Sequence, residues 1–268
     1  MEKTDMTTLS AQAEEAGRII HRCWMAGEVI DALPDECRPR TLADGYAAQR
    51  ALAAASGERA LGWKIAATST SGQRHINVDG PIAGRLLASR VHASPGEVAF
   101  GANRMAVAEA EFAFVMGADL PAREDAYPVE EVLAAVATLH PAIEIPDSRF
   151  ADFTRAGSAQ LAADNACAHE FVLGPATSAD WRAIDLAALP VTLAIDGRVA
   201  TTGTGADALG DPRAALAWIA NNHATQGAAL RAGDIVTTGV CGKPSAIAAG
   251  SRVVAELGPV GAAEATLV

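Results

Sequence analysis

Apolar residues in the first part of the chain recur at the spacing of one helical face. Ala16, Ile19, Ile20, Cys23 and Trp24 stand at i, i+3, i+4, i+7 and i+8, and Gly27 offers a stop. An alanine-rich run from Leu42 to Ala55, interrupted only by Gly45, predicts a second helix. From Leu61 the texture changes to short β-like runs, LGWKIAAT, VAEAEFAFVM, HPAIEIP and HEFVLG, between loops rich in Gly, Pro, Ser and Asp. One helix interrupts them: Pro128 at a first-turn position, then Glu130 and Glu131, with Val129, Val132, Leu133 and Val136 as its stripe and Pro141 as its end. VTLAIDGRVAT predicts a hairpin whose Asp196-Gly197 suits a type I′ turn. Asp211-Pro212 caps and opens a helix through about Asn221, and GDIVTTG and SRVVAEL read as closing strands. The expected class is α+β, with a helical N-terminal region over 1–60 and a strand-rich domain over 61–268 that holds the candidate chemistry.

Composition narrows the classes. The 268 residues suffice for a sizeable core, and 50% are hydrophobic against 20% charged, as in a globular soluble chain. A formal charge of −11 argues against nucleic acid or an anionic membrane as partner, since both need a basic surface. A small anionic substrate stays open, because one local Lys or Arg can dominate a pocket. Cys23, Cys37, Cys167 and Cys241 lack C-x-x-C spacing, so they are expected as reduced, mostly buried thiols in a cytoplasmic protein. The start, MEKTDMTTLS, has no apolar signal-peptide core, and no apolar run approaches the ~20 residues that span a bilayer.

The chemistry concentrates in VAEAEFAFVM. As a strand it puts Ala108, Ala110, Phe112, Phe114 and Met116 on one wholly apolar face, and Glu109 with Glu111 on the other. Buried side by side without partners, two carboxylates repel and pay for lost hydration, so they call for arginines or a divalent cation. Glu144, alone between Ile143 and Ile145, is a third acid of the same kind. Three such carboxylates suit Mg²⁺ or Mn²⁺. On alternation alone, three ordinary surface acids on half-exposed strands remain the competing reading. Lys64 sits among apolar residues in GWKIAATST, either snorkelling outward or held near an anion with a pKa open to lowering by burial. Asp79 lies in a Gly/Pro loop downstream.

Taken in order, GWKIAATS, VDGPIAGRL, AEAEFAFVMGADLP, HPAIEIPDSRF and AADNACAHEFVLG resemble the 2-keto-4-pentenoate hydratase and 4-oxalocrotonate decarboxylase group, a branch of the fumarylacetoacetate hydrolase superfamily. GTGADALGDPRAALAWIANN and GAALRAGDIVTTG continue the likeness, which covers about Leu42 to the C-terminus. The resemblance implies a mixed β-sandwich or roll with helices outside, and Mg²⁺ or Mn²⁺ held by Glu109, Glu111 and Glu144. It also implies that Lys64 and Asp79 move protons, with Asp164, Asn165, Thr238 and Gly239 as lesser candidates for substrate binding. The implied activity is a metal-dependent lyase: a hydratase of 2-hydroxypenta-2,4-dienoate-type acids in the breakdown of aromatic compounds. A 4-oxalocrotonate-type decarboxylase, an acylpyruvate C–C hydrolase and a non-catalytic cation-binding subunit are the alternatives. Relatives form homo-oligomers, which is expected here too.

The chain departs from the group's pattern at Asp211, where many relatives have His, at Ser251, where they have Asp, and in QLAADNAC, where DTVADNAS is usual. These changes bear on substrate identity, not on the three glutamates. Arg74, between Lys64 and Asp79, is a candidate for a second substrate carboxylate but reads first as a solvated loop charge. No nucleophile stands at readable spacing from a histidine, and phosphate-loop signatures are absent.

Overall fold

Capping signals set the first helices where the periodicity puts them. A computed structural model describes residues 10–225 and 228–268, so the polar stretch before Ser10 lies outside the described residues. Helix α1 (Ala11–Ala26) begins where Ser10 accepts from the Ala13 amide, and ends at Gly27 in the left-handed conformation. Helix α2 (Leu42–Ser56) opens with a reciprocal Thr41–Asp44 capping box and ends at Gly57. The shorter helices are α3 (Thr70–Ile76), α4 (Val129–Ala134) and α5 (Gly157–Ala163), and α6 runs from Pro212 to Thr225. Asp211 caps α6 as expected, its carboxylate accepting from the Arg213 amide at 2.7 Å.

The strands are β1 (Ala60–Ala66), β2 (Ile82–Leu87), β3 (Val91–Ala93), β4 (Gly96–Val98), β5 (Val107–Met116), β6 (Val136–Ile145) and β7 (Glu170–Leu173). They continue with β8 (Pro190–Ile195), β9 (Arg198–Thr204), β10 (Ile235–Thr237), β11 (Ser245–Ala246), β12 (Arg252–Glu256) and β13 (Ala262–Leu267). One eight-stranded mixed sheet has the order β2-β1-β10-β5-β6-β7-β3, with β11 also paired to β5. A second sheet of five strands has the order β4-β13-β12-β8-β9. The β8–β9 hairpin turns at Asp196 and Gly197 with φ of 52° and 76°, as a type I′ turn requires. This is the α+β sandwich expected.

The predicted stripe from Val129 overran its element. Helix α4 stops at Ala134, Val136 opens β6, and Pro141 lies inside that strand opposite Phe112. The sheet tolerates it because Pro141 sits beyond the last β6–β7 pair, Ala142–Leu173, where its carbonyl accepts from Gly174.

The core fills the space between the sheets. Ala108, Ala110, Phe112, Phe114 and Met116 are each at most 1% exposed and join one cluster with Leu193, Val253, Ala255 and Ala265 of the small sheet. Helices α1 and α2 share a second cluster with Leu87, Phe150 and Ala163. All four cysteines are buried and free, and no helix among the described residues is long and apolar enough to cross a membrane.

Candidate metal centre and active site

The face of β5 turned away from the sandwich core changes character along its length. Toward one end Ala113 packs with Leu86, Ala142, Phe171 and Ile235. Toward the other stand Glu111 and Glu109. Antiparallel pairing places Glu109 directly opposite Glu144, and Glu111 opposite Ala142, so the three acids share one face. Carboxylate oxygens from Glu109, Glu111 and Glu144 all lie within 4.8 Å of one another. Strand β10, paired to β5, and β1, paired to β10, bring Thr237 and Lys64 to the same face.

Each group is held in place. Glu111 is wholly buried, and its Oε2 accepts from the Thr237 hydroxyl and, at 2.9 Å, from the Gly239 amide. Gly239 has a φ of +97°, and a Cβ there would fall 2.2 Å from Thr68 Oγ1, so only glycine brings that amide so close. Lys64 is 4% exposed. Its ammonium donates to the Ala166 carbonyl at 3.0 Å and lies 2.8 Å from Glu144 Oε1. That contact is an ion pair but is not aligned as a hydrogen bond; Glu144 Oε2 and Glu111 Oε1 are likewise buried without a hydrogen-bond partner. The Ala166 carbonyl is aimed by an unusual turn in which Asn165, Ala166 and Cys167 all have positive φ, 55°, 52° and 59°. Asn165 pins it by accepting from the Arg85 amide at 2.7 Å and donating to the Arg85 carbonyl at 2.9 Å. Gly84 leaves room for it, since a Cβ there would meet the Asn165 carbonyl oxygen at 2.1 Å.

The electrostatics of the cluster do not close by themselves. Three carboxylates face one ammonium, so with all three ionised two negative charges are left uncompensated, which is the charge a divalent cation supplies. Burial and the neighbouring Glu144 push Glu109 up to about 8, Lys64 opposing them, and hold Glu111 well above the carboxylate range. For Lys64 burial alone would lower the pKa as the sequence allowed, but Glu144, Glu109 and Glu111 outweigh it and the net shift is upward. Hard oxygen donors, orphaned lone pairs and this charge deficit all fit a hard divalent cation such as Mg²⁺ or Mn²⁺. Beside the glutamates opens a cavity of about 470 Å³ whose wall includes Lys64, Glu109, Thr68, Cys167 and Lys243.

Residues 82–268 match the family described as fumarylacetoacetate (FAA) hydrolase C-terminal. The chain belongs to the fumarylacetoacetate hydrolase family. A 2-keto-4-pentenoate hydratase of Burkholderia vietnamiensis (strain G4 / LMG 22486) is 36% identical over 244 residues, 90% of this chain and 92% of that protein. A 2-hydroxyhexa-2,4-dienoate hydratase of Comamonas testosteroni is 32% identical over 244 residues, 89% of this chain and 91% of that protein. Among solved structures, the 4-oxalocrotonate decarboxylase from Pseudomonas putida G7, complexed with magnesium and adipate, gives a TM-score of 0.86 at 26% identity. That match covers 97% of this chain and 99% of the decarboxylase.

Within this fumarylacetoacetate hydrolase fold, the other residues singled out from sequence have varied places. Asp79 is exposed at a bend after α3 and is not in the cavity wall, although His75 and Ile76 just before it are. Asp164 is wholly buried, paired with Arg149 and bonded by the Ser148 hydroxyl at 2.7 Å. Asn165 is taken up by Arg85, as above. The Thr238 hydroxyl turns to the Phe112 carbonyl at 3.2 Å, and its neighbour Thr237 is the one that meets Glu111. Sequence reasoning missed Thr237, Met105, Phe153 and Val240, of which the last three line the cavity. Only Thr237 carried a signal: it falls on the face of β10 that alternation assigns to the acids.

Proposed function

We propose that this chain is a divalent-metal-dependent hydratase of 2-hydroxypenta-2,4-dienoate-type acids, formed during the breakdown of aromatic compounds. The observation that carries this reading is the cluster of Glu109, Glu111 and Glu144, short of two positive charges, beside a cavity that also exposes Lys64. The names of the relatives supply the substrate class.

Glu109, Glu111 and Glu144 would hold Mg²⁺ or Mn²⁺, with Thr237 and the Gly239 amide fixing the orientation of Glu111. When bound, the cation supplies Lewis-acid stabilisation of negative charge gathering on the substrate's C2 oxygen. The chain's own work is proton movement and exclusion of bulk water. The dienol loses its hydroxyl proton and gains one at C5, which gives a conjugated 2-oxo acid. Water then adds its oxygen at C4 and a proton arrives at C3. Lys64 is the group in the wall suited to hold and pass these protons, its Nζ kept in place by Ala166 O and Glu144. Asp79 stands outside the wall, so the assignment rests on Lys64.

The decisive assay follows loss of the 2-hydroxypenta-2,4-dienoate chromophore with Mg²⁺ present and after chelation. Turnover that vanishes on chelation supports the reading, and turnover indifferent to it sinks the metal assignment. A second reading, decarboxylation, draws on the solved decarboxylase that this chain resembles over nearly its whole length. Release of CO₂ from 4-oxalocrotonate at a higher kcat/KM than dienoate hydration would favour it.

A further inference from the structure

Within the hydratase reading, we infer that the substrate carries an apolar substituent, alkyl or aryl, at the end remote from its 2-oxo acid head, and not a second carboxylate. The cavity that starts at Lys64 and Glu109 holds about 470 Å³, a size in the range of pockets for ligands much larger than a five-carbon acid. Its wall beyond the charged floor includes Ile76, Met105, Val107, Phe153 and Val240, all half-buried, so each keeps apolar surface for a ligand to cover, while hydroxyls enter only on the Thr68–Ser71 segment. Ile76, Met105 and Phe153 also pack against one buried cluster containing Val78, Leu161 and Cys167. The patch is therefore built on the core. Met105 adds an adaptable side chain that accommodates groups of differing shape.

A second carboxylate finds little here. Among the described residues no arginine lines the wall, and Arg74, the candidate for that task, is exposed and outside it. Beyond Lys64 the side chains there that can carry positive charge are Lys243 and His75, both exposed. An ion pair made in solvent strengthens binding by at most about fivefold. Each methylene fully buried against the patch strengthens it by about fourfold. Three methylenes, even partly buried, outweigh the exposed pair.

Calorimetric titration of the magnesium-loaded protein with four unreactive probes tests this: 2-oxopentanoate, 2-oxohexanoate, 2-oxooctanoate and 2-oxoadipate. The expected result is that 2-oxooctanoate binds at least about tenfold more tightly than 2-oxopentanoate, and that 2-oxoadipate binds more weakly than the length-matched 2-oxohexanoate. Met105→Gln and Phe153→Gln, each checked for an unchanged melting transition, should reduce the octanoate-to-pentanoate ratio by about threefold or more. Equal affinities along the monoacid series, or 2-oxoadipate tighter than 2-oxohexanoate, would overturn the apolar assignment while leaving the hydratase reading standing. Failure of all four probes to bind a protein that does bind magnesium would overturn the 2-oxo acid reading, and this inference with it.

Discussion

Two buried acidic centres lie close together in this molecule, and they differ in whether their charges close. Around Asp164 every charge is answered. Arg149 Nε lies 2.5 Å from its carboxylate, Ser148 donates at 2.7 Å, and the rest of the guanidinium reaches the carbonyls of Asp147, Asp164 and Ala168 and stacks 4.4 Å over the Trp24 ring. Around Glu109, Glu111 and Glu144 one ammonium faces three carboxylates, and three oxygens are left without hydrogen bonds. Burial raises the pKa of Asp164 as well as of Glu109 and Glu111, so a shifted acid does not by itself distinguish the two centres. The deficit does. A saturated centre fixes the fold, and an unsaturated one in a cavity wall is prepared for something not supplied by the chain.

Substitutions at the two centres should therefore fail differently. Lys64→Met is expected to lower turnover by about 10²–10⁴-fold while divalent-ion affinity persists; wild-type kinetics in that variant would remove Lys64 from the proton path. Arg149→Met leaves Asp164 buried and unpaired, and should cost about 3–5 kcal/mol of unfolding free energy by urea denaturation. A loss under 1 kcal/mol would mean that the saturated centre is not structural. Thr237→Val removes the hydroxyl that orients Glu111, so divalent-ion affinity should fall by about 10–100-fold with the melting transition of the metal-free protein little changed. Equal affinity would show that the Gly239 amide suffices.

The last difference is in pH dependence. Burial and Glu144 push Glu109 up to about 8 in the folded, metal-free chain, against its ordinary 4.5 when unfolded. Between those values the folded state binds more protons, so metal-free stability should fall as pH rises from about 4.5 to 8, opposite to the usual carboxylate trend. Saturating Mg²⁺ should flatten or reverse that slope. A metal-free protein that gains stability over the same interval would place the carboxylates in an ordinary, solvated setting.

Much of this was legible in the chain because local pattern and tertiary setting agree there. The alternation in VAEAEFAFVM places Phe112 inside and Glu111 on the acid face without further information, and β5 has the bounds that its pattern draws. Where tertiary pairing decides, sequence was a poorer guide. Val136 and Pro141 read as the end of a helix because periodicity carries no record of the β5 partner that draws them into β6. Asp164 and Asn165, expected at the substrate, have side chains already engaged: Asp164 pairs with Arg149, and Asn165 shapes the turn that presents the Ala166 carbonyl to Lys64. Thr238, expected near the substrate, bonds the Phe112 carbonyl, and its neighbour Thr237 meets Glu111, a one-residue difference that reverses the face of an extended segment. The apolar wall from Ile76, Met105 and Phe153 joins three distant segments, and nothing local announces it.

The most direct test is calorimetric titration of Mg²⁺ and Mn²⁺ into the chelator-stripped protein at pH 7, in buffers of differing ionisation enthalpy, with Glu109→Gln in parallel. One site per chain is expected, releasing protons as the raised carboxylates ionise, with affinity largely lost in Glu109→Gln. Absence of binding, or binding of equal strength in Glu109→Gln with no proton released, would contradict the assignment of the three glutamates to a metal.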